Sequence, residues 1–193
     1  ADAGLQRMGL SLDGATPDAH DAFRGERGSF ESTQRAARYA ADAGLPVQVN
    51  TTVCDATVEE LPGLRDVVRD LDAVLWSVFF LVAVGRGRLL DPVDPERADR
   101  VMDWLDAVRG AEPYAVKTTE APQYRRVVLQ KCRAESAHRS SSGGEAPAVV
   151  AGRRGGVRAG SGFAFVSHVG DVYPSGFLPE SVGNVREESV VDV

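Results

Sequence analysis

Hydrophobic and polar positions in the first 118 residues follow two spacings in turn, which predicts alternating strands and helices. Apolar or alternating runs typical of strands cover 5–12, 47–53, 75–84 and 114–118. Apolar residues at helical spacing cover 30–43, 58–71 and 95–108. Strands separated by helices pair in parallel through right-handed crossovers. The pattern therefore predicts an α/β fold whose parallel sheet is an arc of a barrel or part of a doubly wound sheet.

Residues that cap helices set the expected helix ends. Ser29 is a suitable N-cap for the helix over 30–43, and Gly44 ends that helix. Asp94 before Pro95 is expected to cap the helix over 95–108. Arg24 precedes the Ser29 cap, so we expect it in a loop near the end of the first strand.

The strand–helix pattern breaks after residue 130. Residues 140–144 and 153–156 are rich in serine, glycine and arginine, which is typical of a flexible linker. Two short apolar segments flank residues 168–171, whose glycine favours the turn of a β-hairpin. We expect a strand–helix domain over 1–130, a flexible linker over 131–159 and the start of a small β-module over 160–193.

Charge and composition exclude several kinds of partner. The net charge of -6 argues against a nucleic-acid-binding surface. No apolar run approaches the roughly 20 residues that span a bilayer, and no signal peptide is recognisable, so we expect a cytoplasmic protein without a membrane partner. The two cysteines, Cys54 and Cys132, cannot form a four-thiolate cage, and the three histidines are scattered. We therefore expect no metal ligands in this chain and two free thiols.

Polar side chains end the first strand and interrupt the second. Ser11 and Asp13 come just before a glycine turn, and Asn50 lies among valines and threonines. α/β proteins hold ligands at the carboxyl ends of their strands, so these groups are candidates to bind a ribose, an amino group or a carboxylate. An ordinary strand-to-helix turn remains the alternative for Ser11 and Asp13. Asn50 has the alternative of hydrogen bonding to neighbouring backbone.

Arg24 is the candidate cation near this strand end. An arginine there can hold a carboxylate through two parallel hydrogen bonds. The alternative is a solvated arginine paired with Asp18 or Asp21. The polar segment 117–120 lies at the end of the fourth predicted strand, and it either faces a ligand or begins a surface helix.

Five segments, taken in order, resemble the radical S-adenosylmethionine enzymes with a C-terminal SPASM or twitch extension. They are SLDGATPDAHDAFRGERGSF (11–30), GLPVQVNTTV (44–53), LWSVFFLVAVGRG (75–87), KTTEAPQYRRVVLQ (117–130) and GFAFVSHVGDVYPSGFLPESVGNVRE (162–187). The chain is most similar to the haem and haem d1 biosynthesis subgroup, which includes Fe-coproporphyrin decarboxylases. The resemblance implies that 1–130 is the later part of a (β/α)6 partial TIM-like barrel. It also implies that 160–193 begins a SPASM- or twitch-like module.

The same resemblance implies a site for S-adenosylmethionine at the strand ends. Ser11 would contact the cofactor, and Arg24 would bind its carboxylate. Leu81 or Val82 would line the pocket for its adenine. Asp13 and Asn50 would support the same site. These cofactor-binding positions correspond to Ser11, Asp13, Arg24, Asn50, Leu81 and Val82.

In complete relatives, a [4Fe-4S] cluster and S-adenosylmethionine produce a 5′-deoxyadenosyl radical that abstracts hydrogen from the substrate. The resemblance implies an oxidoreductase or decarboxylase acting on a tetrapyrrole haem precursor, with a peptide as the second substrate class. The family's CxxxCxxC cluster motif is missing from this sequence. We therefore expect a C-terminal fragment that is inactive alone and needs an N-terminal segment or a partner chain. The alternatives are a non-catalytic binding module that has lost the cluster, and an unrelated α/β binding domain.

Overall fold

The computed structural model describes residues 4–119 (at Arg86 the backbone alone), 121, 123, 124, 126–131, 160, 164–176, 178 and 180–189. The chain divides into two compact units, Ala1–Ala146 and Pro147–Val193. The expected linker over 131–159 lies almost entirely outside the described residues.

Four parallel strands form one sheet in the first unit. They are β1 (Met8–Ser11), β2 (Val47–Val53), β3 (Leu75–Phe80) and β4 (Ala115–Thr119), and their order in the sheet is their order in the chain. All three neighbouring pairs are parallel, which confirms the predicted parallel α/β sheet. This arrangement is consistent with part of a TIM-like barrel.

Four helices accompany these strands: α1 (Pro17–Arg24), α2 (Ser29–Asp42), α3 (Leu61–Asp70) and α4 (Pro95–Ala111). Short 3₁₀ turns cover Val58–Glu60 and Gly85–Leu89. The last described helical residues of this unit are 126–131. None of the helices among the described residues is both long and apolar enough to cross a bilayer.

Three sequence predictions need correction. Arg24 is the last residue of helix α1 and does not lie in a loop. The helix begins after Thr16, whose side chain caps it by accepting a hydrogen bond from Ala19 N at 3.2 Å. Ser29 is the first residue of α2 and not its N-cap, since Gly28 takes the cap position with φ 82°. The apolar run 75–84 is only partly a strand, because β3 ends at Phe80. The Asp94 cap is confirmed, with its carboxylate accepting from Arg97 N at 2.8 Å.

The sheet presents two different faces. One face carries apolar residues such as Val49, Trp76 and Val78, which are fully buried against α2, α3 and α4. The opposite face, called here the polar face, contains Gly9, Ser11, Gln48, Asn50, Thr52, Leu75, Ser77, Phe79, Ala115, Lys117 and Thr119. Burial alternates along β2, where every second residue is buried among the helices and the residues between are half-buried. A ligand site on this sheet therefore lies on the polar face or at its carboxyl edge.

The second unit contains a small antiparallel sheet. Its strands are β5 (Phe165–Val166), β6 (Asp171–Tyr173) and β7 (Gly183–Asn184), in that order. Pairing of β5 with β6 confirms the predicted hairpin. The turn requires glycine at position 170, because φ is 99° and a Cβ would lie 2.6 Å from Asn184 Oδ1.

Candidate functional site

A row of polar side chains crosses the polar face from β1 to β4. The strand register pairs Ser11 with Asn50, Asn50 with Ser77, and Ser77 with Lys117. Paired residues of parallel strands point to the same face, so the four side chains share one surface. Ser11 and Lys117 at the two ends are exposed, whereas Ser77 is buried between its neighbours. The row therefore offers the hydroxyl of Ser11, the amide of Asn50 and the ammonium group of Lys117 to a ligand.

Asn50 is held over the polar face by its neighbours. Its Oδ1 accepts a hydrogen bond from Gln48 Nε2 at 2.7 Å, so its partner is a side chain and not the backbone. A Cβ at Gly9 would lie 3.3 Å from Asn50 Nδ2, which is a tight contact. Glycine at position 9 therefore leaves space for the amide beside β1.

Asp13 links the ends of β1 and β2 to the guanidinium of Arg24. Its carboxylate is 1% exposed. Oδ1 accepts a hydrogen bond from Thr52 N at 2.7 Å. Arg24 Nε lies 2.9 Å from Oδ2, which is an ion-pair distance. The two atoms are not aligned for a hydrogen bond, so the buried Oδ2 accepts none from the described residues. Asp13 therefore fixes Arg24 from beneath, and it does not itself face solvent.

Arg24 keeps part of its hydrogen-bonding capacity for another molecule. Its side chain is 36% exposed, and its Nε forms the ion pair with Asp13. Within the described part of the chain, no group accepts a hydrogen bond from either Nη atom of Arg24. The sequence left Asp18 and Asp21 as alternative partners, but Arg24 forms its ion pair with Asp13. Two parallel N–H groups on a planar guanidinium match a carboxylate. The carboxylate clamp expected from the sequence is therefore chemically available at the carboxyl edge of the sheet.

His20 supports this arrangement from inside the protein. It is fully buried, and Asp13 N donates to its Nδ1 at 3.0 Å. Nδ1 therefore carries no proton, and Nε2–H donates to Ser29 Oγ at 3.2 Å. Burial lowers the pKa of His20, more than the nearby Asp13 carboxylate raises it. A neutral His20 thus fixes the backbone at Asp13.

The connection between α1 and α2 is fixed by another carboxylate. Asp21 Oδ1 accepts from Phe30 N at 2.8 Å, and Oδ2 accepts from Gly28 N at 2.5 Å. These backbone hydrogen bonds, that of Phe30 first, lower the pKa of Asp21. Asp21 is therefore already occupied, which explains why it is not the partner of Arg24.

The turn after β1 is closely packed against α1. A Cβ at Gly14 would lie 2.4 Å from His20 N and 2.7 Å from Ala19 C. These are backbone atoms that cannot move aside, so only glycine fits at this position. The close approach brings the end of α1, and Arg24 with it, to the strand end.

The remaining predicted positions lie farther along the carboxyl edge. Leu81 and Val82 follow β3 directly and are half-buried, and Leu81 N donates to Val53 O at 3.0 Å. The register pairs Ser11 with Asn50. Asp13 follows β1, Leu81 and Val82 follow β3, and Arg24 reaches the end of β1 through its ion pair with Asp13. Sequence reasoning missed His20 as a support. The predicted polar segment 117–120 begins inside β4, because Lys117 lies in the middle of that strand.

The described residues offer no cluster of metal ligands. No group of three or more histidine, cysteine, aspartate or glutamate side chains among them could hold a metal ion. Cys54 is a buried free thiol that follows β2, and Cys132 lies outside the described residues.

Comparison with known proteins identifies the family of this chain. No protein-family model matches the chain. It is 38% identical over 186 residues to the AdoMet-dependent heme synthase of Methanosarcina barkeri, covering 96% of this chain and 52% of the relative. It is 35% identical over 191 residues to the AdoMet-dependent heme synthase of Oleidesulfovibrio alaskensis, covering 96% and 47%. The chain thus spans about half the length of the curated relatives it matches.

A solved structure shares the fold. The crystal structure of Streptococcus suis SuiB superposes with a TM-score of 0.61 at 15% identity, covering 96% of this chain and 42% of SuiB. The fold and the site define an α/β protein with a four-stranded parallel sheet and an arginine at the carboxyl edge of that sheet. The chain belongs to the radical S-adenosylmethionine enzyme family, as its resemblance to the heme synthases indicated. That family implies S-adenosylmethionine and an iron–sulfur cluster as cofactors.

Proposed function

We propose that this chain forms the part of a radical S-adenosylmethionine enzyme of haem biosynthesis that holds the S-adenosylmethionine. Its four strands would be the later strands of a (β/α)6 barrel, and its second unit would begin a SPASM- or twitch-like module. The observation that carries the proposal is Arg24, whose Nε is held by buried Asp13 while its Nη atoms have no acceptor among the described residues.

Each predicted residue has a distinct role in this proposal. Arg24 binds the methionyl carboxylate through two N–H groups, and Asp13 fixes the guanidinium. Ser11 and Asn50, paired in the sheet, present a hydroxyl and an amide to the polar groups of the nucleoside. Leu81 and Val82 provide the half-buried apolar surface that an adenine ring requires.

The cofactors would supply the radical chemistry, and the protein would orient them. The donor set at this end of the sheet suits S-adenosylmethionine, because it combines a guanidinium with hydroxyl and amide groups. It does not suit an iron–sulfur cluster, since no suitable ligand group occurs among the residues that are described. The substrate class that we propose is a tetrapyrrole haem precursor, supported by the names of the relatives, with a peptide side chain as the second candidate.

Binding of S-adenosylhomocysteine, measured by isothermal titration calorimetry, tests the proposed site without needing the cluster. We expect Arg24→Gln to weaken binding by roughly 10- to 100-fold, because a charge-assisted pair contributes about 1.5–3 kcal/mol. Methylthioadenosine, which lacks the carboxylate, should bind the wild type and this variant equally. Arg38→Gln, on the exposed side of α2, is the matched control and should bind as the wild type does.

Two results would contradict the proposal. One is a wild-type chain that does not bind S-adenosylhomocysteine at all. The other is an Arg24→Gln variant that loses both ligands or neither, because a carboxylate clamp must discriminate between them.

A further inference from the structure

Lys117 is the only charged residue in the four strands of the parallel sheet. The strands otherwise contain apolar residues, serine, threonine, asparagine and glutamine. β4 is an edge strand among the described strands, and Lys117 is exposed, so its charge does not have to be paired within the protein. Its ammonium group is therefore accessible, and the surroundings on the sheet decide what it can bind.

The register places Lys117 on the polar face. Its strand neighbour Ser77 lies next to it in the row that starts at Ser11. Val116, which precedes Lys117, packs against the buried core on the opposite face. Because side chains alternate along a strand, the ammonium group is directed away from the helices and toward the surface proposed to hold ligands.

No acidic group in the described part of the chain pairs with Lys117. The other lysine, Lys131, differs in this respect, since its Nζ lies 3.1 Å from Asp103 and 3.6 Å from Asp106. Thr119 lies on the same face as Lys117, and its Oγ1 is buried without a hydrogen-bond partner among the described residues. An exposed cation and an orphaned hydroxyl therefore lie two residues apart on one strand.

Lys117 and Arg24 are too far apart to hold the same carboxylate. Ser11 and Lys117 belong to strands separated by three strand spacings, which is roughly 14 Å in a sheet. Arg24 contacts the strand end beyond Ser11, through Asp13. The two cations thus serve two different anionic groups at opposite ends of the polar row.

We infer that Lys117 is a specificity-determining residue that binds a carboxylate of the second ligand, the substrate. Thr119 adds a hydroxyl to the same group, and Ser11, Asp13 and Arg24 hold the cofactor at the other end of the row. The inference rests on the proposed function for the identity of the two ligands, but it assigns a separate residue to the substrate.

Binding of coproporphyrin III, a tetrapyrrole with four carboxylates, tests this assignment through quenching of porphyrin fluorescence in the wild-type chain and variants. Lys117→Gln should weaken binding about tenfold, as expected for one lost charge-assisted hydrogen bond, while Lys117→Arg should retain most of the affinity. Lys131→Gln is the matched control, because it removes the chain's other lysine from an exposed helix. A water-soluble neutral tetra-amide of the same porphyrin should bind the wild type and Lys117→Gln equally.

The S-adenosylhomocysteine affinity of each variant separates the two proposals. We expect it to stay within twofold of the wild type in Lys117→Gln, which also shows that the variant is folded. The assignment of Lys117 is overturned if the wild type does not prefer the tetra-acid to the tetra-amide. It is also overturned if Lys117→Gln binds the tetra-acid normally, or if Lys131→Gln weakens binding equally. Absence of S-adenosylhomocysteine binding, with the porphyrin results as expected, overturns the cofactor site alone.

Discussion

Replacing Asp13 with asparagine removes the charge that faces Arg24 while keeping the shape of the side chain. The amide oxygen can still accept the hydrogen bond from Thr52 N, so the contact between the strands is retained. The ion pair with Arg24 is lost, together with the weaker charge effect of Asp13 on the buried His20. The variant therefore separates the anchoring of the guanidinium from the connection between β1 and β2.

The magnitude follows from the distance and the exposure of the pair. Two charges 2.9 Å apart attract by about 1.4 kcal/mol in bulk water and by about 5.7 kcal/mol at an effective dielectric constant of 20. The Arg24 side chain is 36% exposed, so solvent screening and the cost of desolvation reduce the net value. We expect a coupling free energy of about 1–2 kcal/mol between the two side chains.

A double-mutant cycle measures this coupling. Urea unfolding of the wild type, Asp13→Asn, Arg24→Gln and the double variant is followed by the fluorescence of Trp76 and Trp104. Asp13→Asn should also weaken S-adenosylhomocysteine binding about tenfold, because an unanchored Arg24 must be ordered on binding. Asp18→Asn, in the first turn of the same helix, is the control. A coupling free energy below about 0.5 kcal/mol, together with unchanged ligand affinity, would refute the view that Asp13 positions Arg24.

Two further predictions concern the support beneath the site. Burial lowers the pKa of His20 below 6.5, so the unfolded chain takes up a proton near that pH before the folded chain does. The free energy of unfolding of the wild type should therefore fall as the pH drops below about 6.5. This fall should be less steep in His20→Gln than in the control His168→Gln. Equal slopes of the free energy against pH in the two variants would contradict this. Gly14→Ala should lower the free energy of unfolding by about 1–3 kcal/mol, because its Cβ meets backbone atoms of α1. Gly110→Ala in α4 is the control, because a Cβ there meets nothing within 4 Å. It should be neutral or stabilising by about 0.5–1 kcal/mol. If urea unfolding shows the same loss of free energy in both variants, the packing argument is wrong.

The strands were predictable because their apolar residues follow simple local patterns. β2 has the predicted bounds, since its valines alternate with polar residues between two turn segments. Helix α1 was missed because it has only eight residues, and because Ser29 has the side chain of a typical N-cap. In the structure that serine accepts from His20 instead, a contact that depends on how two helices pack.

The candidate site was predictable in outline and not in its contacts. Placing Ser11 and Asn50 at neighbouring strand positions needed only the parallel order of the strands. The partner of Arg24 could not be read from local sequence, because Asp13 lies eleven positions away and nearer carboxylates compete. The position of Lys117 could not be settled from the sequence, because the polar segment 117–120 was equally compatible with a ligand-facing segment and with the start of a surface helix. The pairing of β4 with β3 is what places Lys117 on the polar face.

Asp13 also explains how β1 can be shorter than β2 at the carboxyl end. Leu12 N donates to Asn50 O, so a continued ladder would next require Thr52 N to donate to a backbone carbonyl of β1. It donates to the carboxylate of Asp13 instead, and the carbonyl of Leu12 accepts from the Thr51 hydroxyl. The Asp13 side chain thus replaces a main-chain acceptor, so β1 can end early while Thr52 N still has a hydrogen-bond partner. A single aspartate side chain lets two neighbouring strands end at different positions.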